Sequence, residues 1–178
     1  SLGAGRAASD MLLPRVDLSA LFPEAALVYL EKQGGSLRYG HHVRAIEAAG
    51  DRWRVRTDEP SNDSFSHVIV ATSPAHAQPL LEPLDQALAQ SLDFGHQPIT
   101  TCYLQYPTAV TLPAVMLALL DDPERQHWGQ FVFDRGQLDP MQAGLLAVVV
   151  SASGAALAQG SDTLDQAIAS QLADVLRM

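Results

Sequence analysis

The sequence predicts an α+β fold: a β-meander that ends in a ligand-facing turn, followed by a second sheet with flanking helices. Three observations lead there. The stretch SLRYGHHVRAIEAAGDRWRVRT, residues 36–57, reads as two or three short strands with a turn at Ala49, Gly50 and Asp51. The stretch SFSHVIVATSPAHAQPLLEPL, residues 64–84, begins as a buried strand and breaks at Thr72, Ser73 and Pro74 into helical sequence. Several apolar runs then succeed one another, and the chain ends in a helical repeat.

In chain order, the first well-marked element is a helix over FPEAALVYLEKQGG. Pro23 suits the first helical position, Glu24 favours the positive end of the dipole, and Gly34 and Gly35 close it. Alternation is strict over residues 52–57, where Trp53 and Val55 point one way and Arg52, Arg54 and Arg56 the other. A polar loop over residues 58–64 leads to a predicted strand over residues 65–71. Helical character returns over residues 84–92, and ITTCYLQYP, PAVMLALL, WGQFVFD and GLLAVVVSAS read as an antiparallel series. In SDTLDQAIASQLADVLRM, Leu164, Ile168, Leu172 and Val175 fall at helical spacing, with Ser161 or Asp162 as cap. This last helix has nothing after it to pack against, and no strand opens the chain. The expectation is therefore an internal piece of a larger protein.

Composition excludes several classes of function. With 47% hydrophobic and 17% charged residues in 178, the chain reads as a folded protein with one good core or two small lobes. A formal net charge of −9 argues against a phosphate-tracking surface, so no nucleic-acid partner is expected. Cys102 is the only cysteine, which rules out an internal disulfide and fits a reducing compartment; the expected location is the cytoplasm. The longest apolar stretches, residues 112–120 and 145–150, fall well short of the roughly 20 residues a bilayer requires.

Most motifs that could carry chemistry do not survive inspection. LGAGRAAS matches the dinucleotide fingerprint in form, with Gly3, Gly5 and Ala8 at the small positions. No strand delivers it, and Pro14 interrupts the residues after it, so coincidence is the favoured reading. His41 and His42 are adjacent, and the histidines at 67, 76, 96 and 127 are scattered; no metal site is expected. Gly-x-Ser-x-Gly does not occur. Asp134 and Arg135 in FDRGQL suit an ordinary turn with a surface ion pair, a contact at a cavity rim being the sharper alternative. The stripe of Arg52, Arg54 and Arg56 could face an anion, though a solvated sheet face explains it as well. Tyr103, Gln105, Met116, Phe131 and Phe133 lie on the predicted second sheet. Large apolar residues there are usually core, but in the wall of a cavity they would suit a hydrocarbon.

The order of the pieces carries a resemblance. GGSLRYGHHVRAIEAAGDRWRV, a variable loop and SHVIVATSPAHAQPLL resemble the middle of the flavin-containing amine oxidase and carotenoid desaturase superfamily. Within it, RAASDMLLPRVDLSALFPEAAL, CYLQYP, FVFDRGQL and LLAVVVSASG look like the squalene-associated FAD-dependent enzymes, the hydroxysqualene dehydroxylases. The likeness runs through nearly all of the chain.

The resemblance implies a flavoenzyme acting on a C30 isoprenoid, converting hydroxysqualene to squalene in squalene or hopanoid synthesis. Residues 1–35 would be a helical lead-in of the substrate domain, residues 36–82 the β-meander and ligand-facing strand of the FAD-binding domain, and residues 83–178 part of the mixed or antiparallel substrate-domain sheet. Val43 would lie against the FAD adenine, and Ala71, Thr72, Ser73 and Pro74 would approach the cofactor, since small residues let backbone come close to a ligand. FAD is expected in the full-length parent and is not expected to be held tightly by this chain alone, which would also be inactive. No residue stands out as acid or base. An insoluble substrate also implies a peripheral membrane contact. The rivals are desaturation of a carotenoid precursor, oxidation of an amine, and a non-enzymatic lipid-binding module.

Overall fold

A computed structural model of the chain describes residues 11–176. The architecture is α+β, with two compact units: residues 26–96 form one, and the described residues before and after them form the other.

The first element, α1 (Leu18–Leu21), is a single turn capped by Asp17, whose carboxylate accepts from the Ala20 N–H at 2.9 Å. Next comes α2 (Pro23–Lys32), with the predicted proline start and glycine end. Gly34 takes φ +80°, and the N–H groups of Gly34 and Gly35 reach back to the carbonyls of Glu31 and Leu30. That pair of bonds is the double glycine stop that the sequence announces.

Residues 26–96 are built on a meander of β1 (Val43–Ala49), β2 (Arg52–Thr57) and the two-residue β3 (Ser64–Phe65), all antiparallel. Gly50 opens the β1–β2 turn at φ +68°, a conformation glycine adopts without penalty. Ile46, opposite Val55, is buried, and α3 (Pro74–Leu81) packs against β1; α4 (Gln86–Gln90) comes next, capped by Asp85.

One expectation fails in this unit. Of the predicted strand over residues 65–71 only Phe65 pairs, together with Ser64 before it, and residues 67–71 have no strand partner among the described residues. The register gives the reason. Phe65 lies opposite Trp53, so β2 has one residue left before its hairpin turn, and the apolar run passes beyond the end of the sheet. Val68 and Val70 are half-buried, while Ile69 is 91% exposed.

The other unit is a four-stranded antiparallel sheet with the order β4 (Thr100–Gln105), β7 (Leu145–Val150), β6 (Phe131–Asp134), β5 (Met116–Ala118). Because directly opposed residues share a face, Cys102, Val148, Val132 and Leu117 form one row across it. The helix α6 (Ser161–Leu176) completes this core with Leu164, Ile168 and Leu172, all fully buried; the short α5 (Gly154–Leu157) adds Ala156. Val175, read from its spacing as part of the same stripe, is instead about half exposed. Nor does Ser161 or Asp162 cap the helix: Ser161 is already helical, and the Gly160 carbonyl accepts from the Leu164 N–H. No described helix is long and apolar enough to cross a membrane.

Two buried polar groups tie this unit together. The Gln171 amide accepts from the Gly129 N–H at 2.8 Å and donates to the carbonyls of Gly129 and Leu120 at 3.0 and 3.1 Å. Gly129 has no room for a methyl group, which would sit 2.6 Å from Val148 Cγ1. Asp134, expected in a surface ion pair with Arg135, is 1% exposed and has no salt bridge among the described residues. Its Oδ2 accepts from Thr111 Oγ1 at 2.8 Å and from the Leu112 N–H and Gln137 Nε2, both at 2.9 Å; its Oδ1 accepts from the Gly136 N–H at 3.1 Å. Burial alone would raise its pKa, but these four donors outweigh burial and hold the carboxyl below its ordinary value.

Asp134→Asn is expected to destabilise the chain by about 3 kcal/mol at neutral pH, since an amide nitrogen would face donors that lose their acceptor. A carboxyl with a depressed folded-state pKa contributes fully above its unfolded value, near 3.8, and loses that contribution as pH falls through the lower folded value. Urea unfolding from pH 7 downward should therefore show the gap between wild type and Asp134→Asn closing below about pH 4. Gln171→Leu would leave the two buried backbone groups of Gly129 unpaired, and its urea midpoint should fall by an amount corresponding to about 2–4 kcal/mol.

Candidate functional site

Clefts in each unit contain residues that the sequence singles out, and Val43 borders two of those in residues 26–96. In residues 26–96, a cleft of about 500 Å³ is lined by His41, His42, Val43, Arg44, Thr72, His76, Pro79 and Leu80. Val43 and Thr72 thus share one space although 29 positions apart in the chain. The cause is local geometry. The β1–β2 register slips between Val43 and Ala45, a bulge that bends the strand start where Val43 meets the cleft. On the opposite wall, the unpaired run ends and the chain turns into α3.

The turn residues divide between lining and support. Thr72 lines the cleft, whereas Ala71, Ser73 and Pro74 adjoin it without contributing to the lining. Pro74 occupies the first position of α3, and the Ser73 carbonyl accepts from the N–H groups of His76 and Ala77. The Ser73 hydroxyl does not cap the helix. It pairs with His76 Nδ1 at 2.8 Å and fixes that imidazole at the cleft wall. Arg44 is held by Asp58, Nε to Oδ1 at 2.7 Å, a hydrogen bond that lowers the Asp58 carboxyl pKa. Val43, Pro79 and Leu80 give the cleft its apolar lining, shared with His41, His42, His76 and Arg44.

The other five candidates, Tyr103, Gln105, Met116, Phe131 and Phe133, fall on one face of the four-stranded sheet, opposite the face covered by α6. Tyr103, Ala147, Phe133 and Met116 form one cross-strand row, and Phe131 sits one pair along, opposite Val149. Gln105 has the same parity, but its amide is spent on the carbonyls of Tyr106 and Ala143, at 2.7 and 3.2 Å. This face is open at Tyr103, 64% exposed, and at Phe131, 38%, while Ala147 between them is buried.

Of these five, Phe133 lines a cleft. That cleft, about 440 Å³, is formed by residues 13–18 together with Phe133, Arg135, Leu138, Asp139 and Gln142. Arg135 sits on its wall, with Nε donating to Gln142 Oε1 at 2.9 Å, which is the cavity-rim role left open for it by the sequence. The convergence of residues 13–18 with residues 133–142 has no sequence signal. The turn that shapes it does, in Asp139-Pro140, where Asp139 accepts from the Met141 N–H and from Gln142 Nε2.

Among the described residues, no three His, Cys, Asp or Glu side chains converge as metal ligands. The thiol of Cys102 is buried on the α6 side, where desolvation, aided by Asp165, pushes its pKa up to about 11, so it offers no nucleophile. The glycine-rich stretch with Gly3, Gly5 and Ala8 lies outside the described residues.

Comparison with known proteins supplies the wider setting. No curated protein gives a significant match to the chain. Residues 18–177 match the family described as flavin containing amine oxidoreductase, a span that takes in both clefts except the start of the second, together with the open sheet face. The family implies an oxidoreductase with a flavin cofactor. A match over nine-tenths of its length shows that the chain belongs to the flavin-containing amine oxidoreductase family.

Proposed function

We propose that the protein serves a flavin-dependent oxidoreductase whose substrate is a C30 isoprenoid, with hydroxysqualene converted to squalene. The observation that carries this reading is the open face of the four-stranded sheet. Tyr103, Met116, Phe131, Phe133 and Val149 present aromatic and aliphatic surface with no ionised side chain among them. A hydrocarbon gains from every contact with such a face, about 25 cal/mol per Å² removed from water. An amine substrate would arrive as a cation and would need a carboxylate or an aromatic cage. The motif-level likeness to hydroxysqualene dehydroxylases supports the same substrate.

When bound and reduced, the flavin would supply hydride to an allylic carbon as the hydroxyl leaves, with a proton, as water, and would itself be oxidised. Residues of this chain would have two tasks. Val43 and Thr72 would hold the adenine end of the cofactor in the first cleft, where the turn at Ala71, Ser73 and Pro74 keeps the backbone unobstructed. The sheet face, with Phe133 at its cleft, would align the hydrocarbon and keep water from the reacting carbon. Residues 68–71 fit the same picture. Apolar on both sides and unpaired among the described residues, they have the composition of an interior strand of a parallel sheet, the kind on which nucleotide domains are built. In this reading the enzyme works in the cytoplasm and touches a membrane to collect its insoluble substrate.

Protein expressed from the complete gene should purify with flavin and, given a flavin reductant, should convert hydroxysqualene to squalene. Reducible bound flavin without squalene would overturn the substrate; absence of flavin would overturn the class. Thr72→Trp, which fills the first cleft while leaving α3 intact, should lower the flavin retained on purification by about tenfold, equivalent to roughly 1.4 kcal/mol of lost binding. The absorbance ratio of flavin to protein reads this directly, and an unchanged ratio would remove Thr72 from the cofactor site.

A further inference from the structure

The stripe of arginines in β2 has no part in the proposed reaction, and the register shows where it points. Arg56 lies opposite Ala45, Arg54 opposite Glu47 and Ser64, and Arg52 opposite Ala49. Trp53 and Val55 face the other way, with Ala48, Phe65 and the buried Ile46. One face of the three-stranded sheet therefore carries three guanidiniums in a row.

Their partners are unequal. Arg56 is paired with Glu47, Nε to Oε2 at 3.0 Å. Arg52 donates from Nε to Ser64 Oγ at 2.8 Å and from its terminal nitrogen to the Ser64 carbonyl at 2.7 Å, both neutral acceptors. Arg54 has no carboxylate within salt-bridge distance among the described residues, and its Nε is covered yet without an acceptor. Three positive charges thus face one carboxylate, on a chain whose net charge is −9. Arg56 and Glu47 are each close to half exposed, so the face is within reach of a partner.

We propose that this face is a docking surface for an extended acidic segment of another protein, with Arg52, Arg54 and Arg56 as its contacts. Alternate residues of a strand stand about 6.6–7 Å apart on one face. An extended peptide with a carboxylate at every second residue repeats at the same interval, so three forked guanidinium–carboxylate contacts can form in register. Glu47 already makes a single-bonded guanidinium–carboxylate contact of this kind within the sheet, through Arg56 Nε.

An anionic bilayer suits the face less well. No large apolar side chain stands on it to insert. Attraction of about 1 kcal/mol per basic residue, with Arg56 already paired to Glu47, would not hold the chain to a surface. A contact confined to one short strand belongs to the weak and transient class of interfaces.

The test uses a fluorescent heptapeptide with glutamate and threonine alternating, titrated with the chain and followed by anisotropy. At low salt a Kd on the order of 100 μM is expected, weakening as salt shortens the Debye length. Arg54→Gln should weaken binding by about tenfold, with Arg52→Gln as a second variant should the first disturb the sheet; amide exchange across the β1–β2 hairpin reports whether it does. A peptide with glutamate at every third residue should bind less tightly. Absence of binding at millimolar peptide, or binding that ignores both substitutions or the glutamate spacing, would overturn the proposal. So would phosphatidylserine vesicles that bind through the same arginines when the peptide does not.

Discussion

The Gln171 amide is the point at which α6 is held to the sheet, and much of that unit depends on it. One polar side chain satisfies a donor and two acceptors just beyond β5 and before β6, and the two of these that belong to Gly129 are buried away from water. Gly129 lets the helix come this close, because any side chain there would collide with Val148 and with Gln171 itself. With the amide seated, Leu164, Ile168 and Leu172 fall onto the row formed by Cys102, Val148 and Val132. Hydrophobic burial supplies most of the free energy, while the amide sets the register of helix on sheet.

Covering one face this way leaves the other face open, and every strand contributes side chains to both. Tyr103 is next to Cys102, and Phe133 next to Val132, so the same alternation that builds the core lays out the aromatic face behind it. Asp134 then ends β6. By collecting donors from Thr111, Leu112, Gly136 and Gln137 it fixes the loop before β5 and the turn after β6, and this turn sets Arg135 beside Phe133 at the cleft. A carboxylate buried for structural reasons thereby positions the rim of a cavity without touching what the cavity holds.

In residues 26–96 the governing constraint is the length of the meander. β2 has only six residues, so β3 can pair for two before the chain passes the hairpin turn. The apolar run after β3 is carried clear of the sheet to the turn at Thr72, where it meets the bulged start of β1 at Val43. A cleft at the end of a strand and the start of a helix results from these two irregularities, a bulge and a register that runs out.

Local signals fixed much of this in the sequence. The proline start and double-glycine stop of α2, the Gly50 hairpin, the four strands of the second sheet and the stripe through Leu164, Ile168 and Leu172 all arise from backbone preference and periodicity, which act between near neighbours. So do the candidates on the second sheet: side-chain parity along each strand was readable, and pairing needed only to bring equal parities together. Tertiary structure alone decided the rest. A stretch as apolar as residues 68–71 looks the same whether or not a neighbouring strand lies beside it, and Asp134 next to Arg135 looks like a surface pair until distant donors bury it. The meeting of Val43 with Thr72, and of residues 13–18 with Phe133, depends on register and on chain reversal. Neither leaves a mark on local sequence, because both are set by contacts between residues far apart along it.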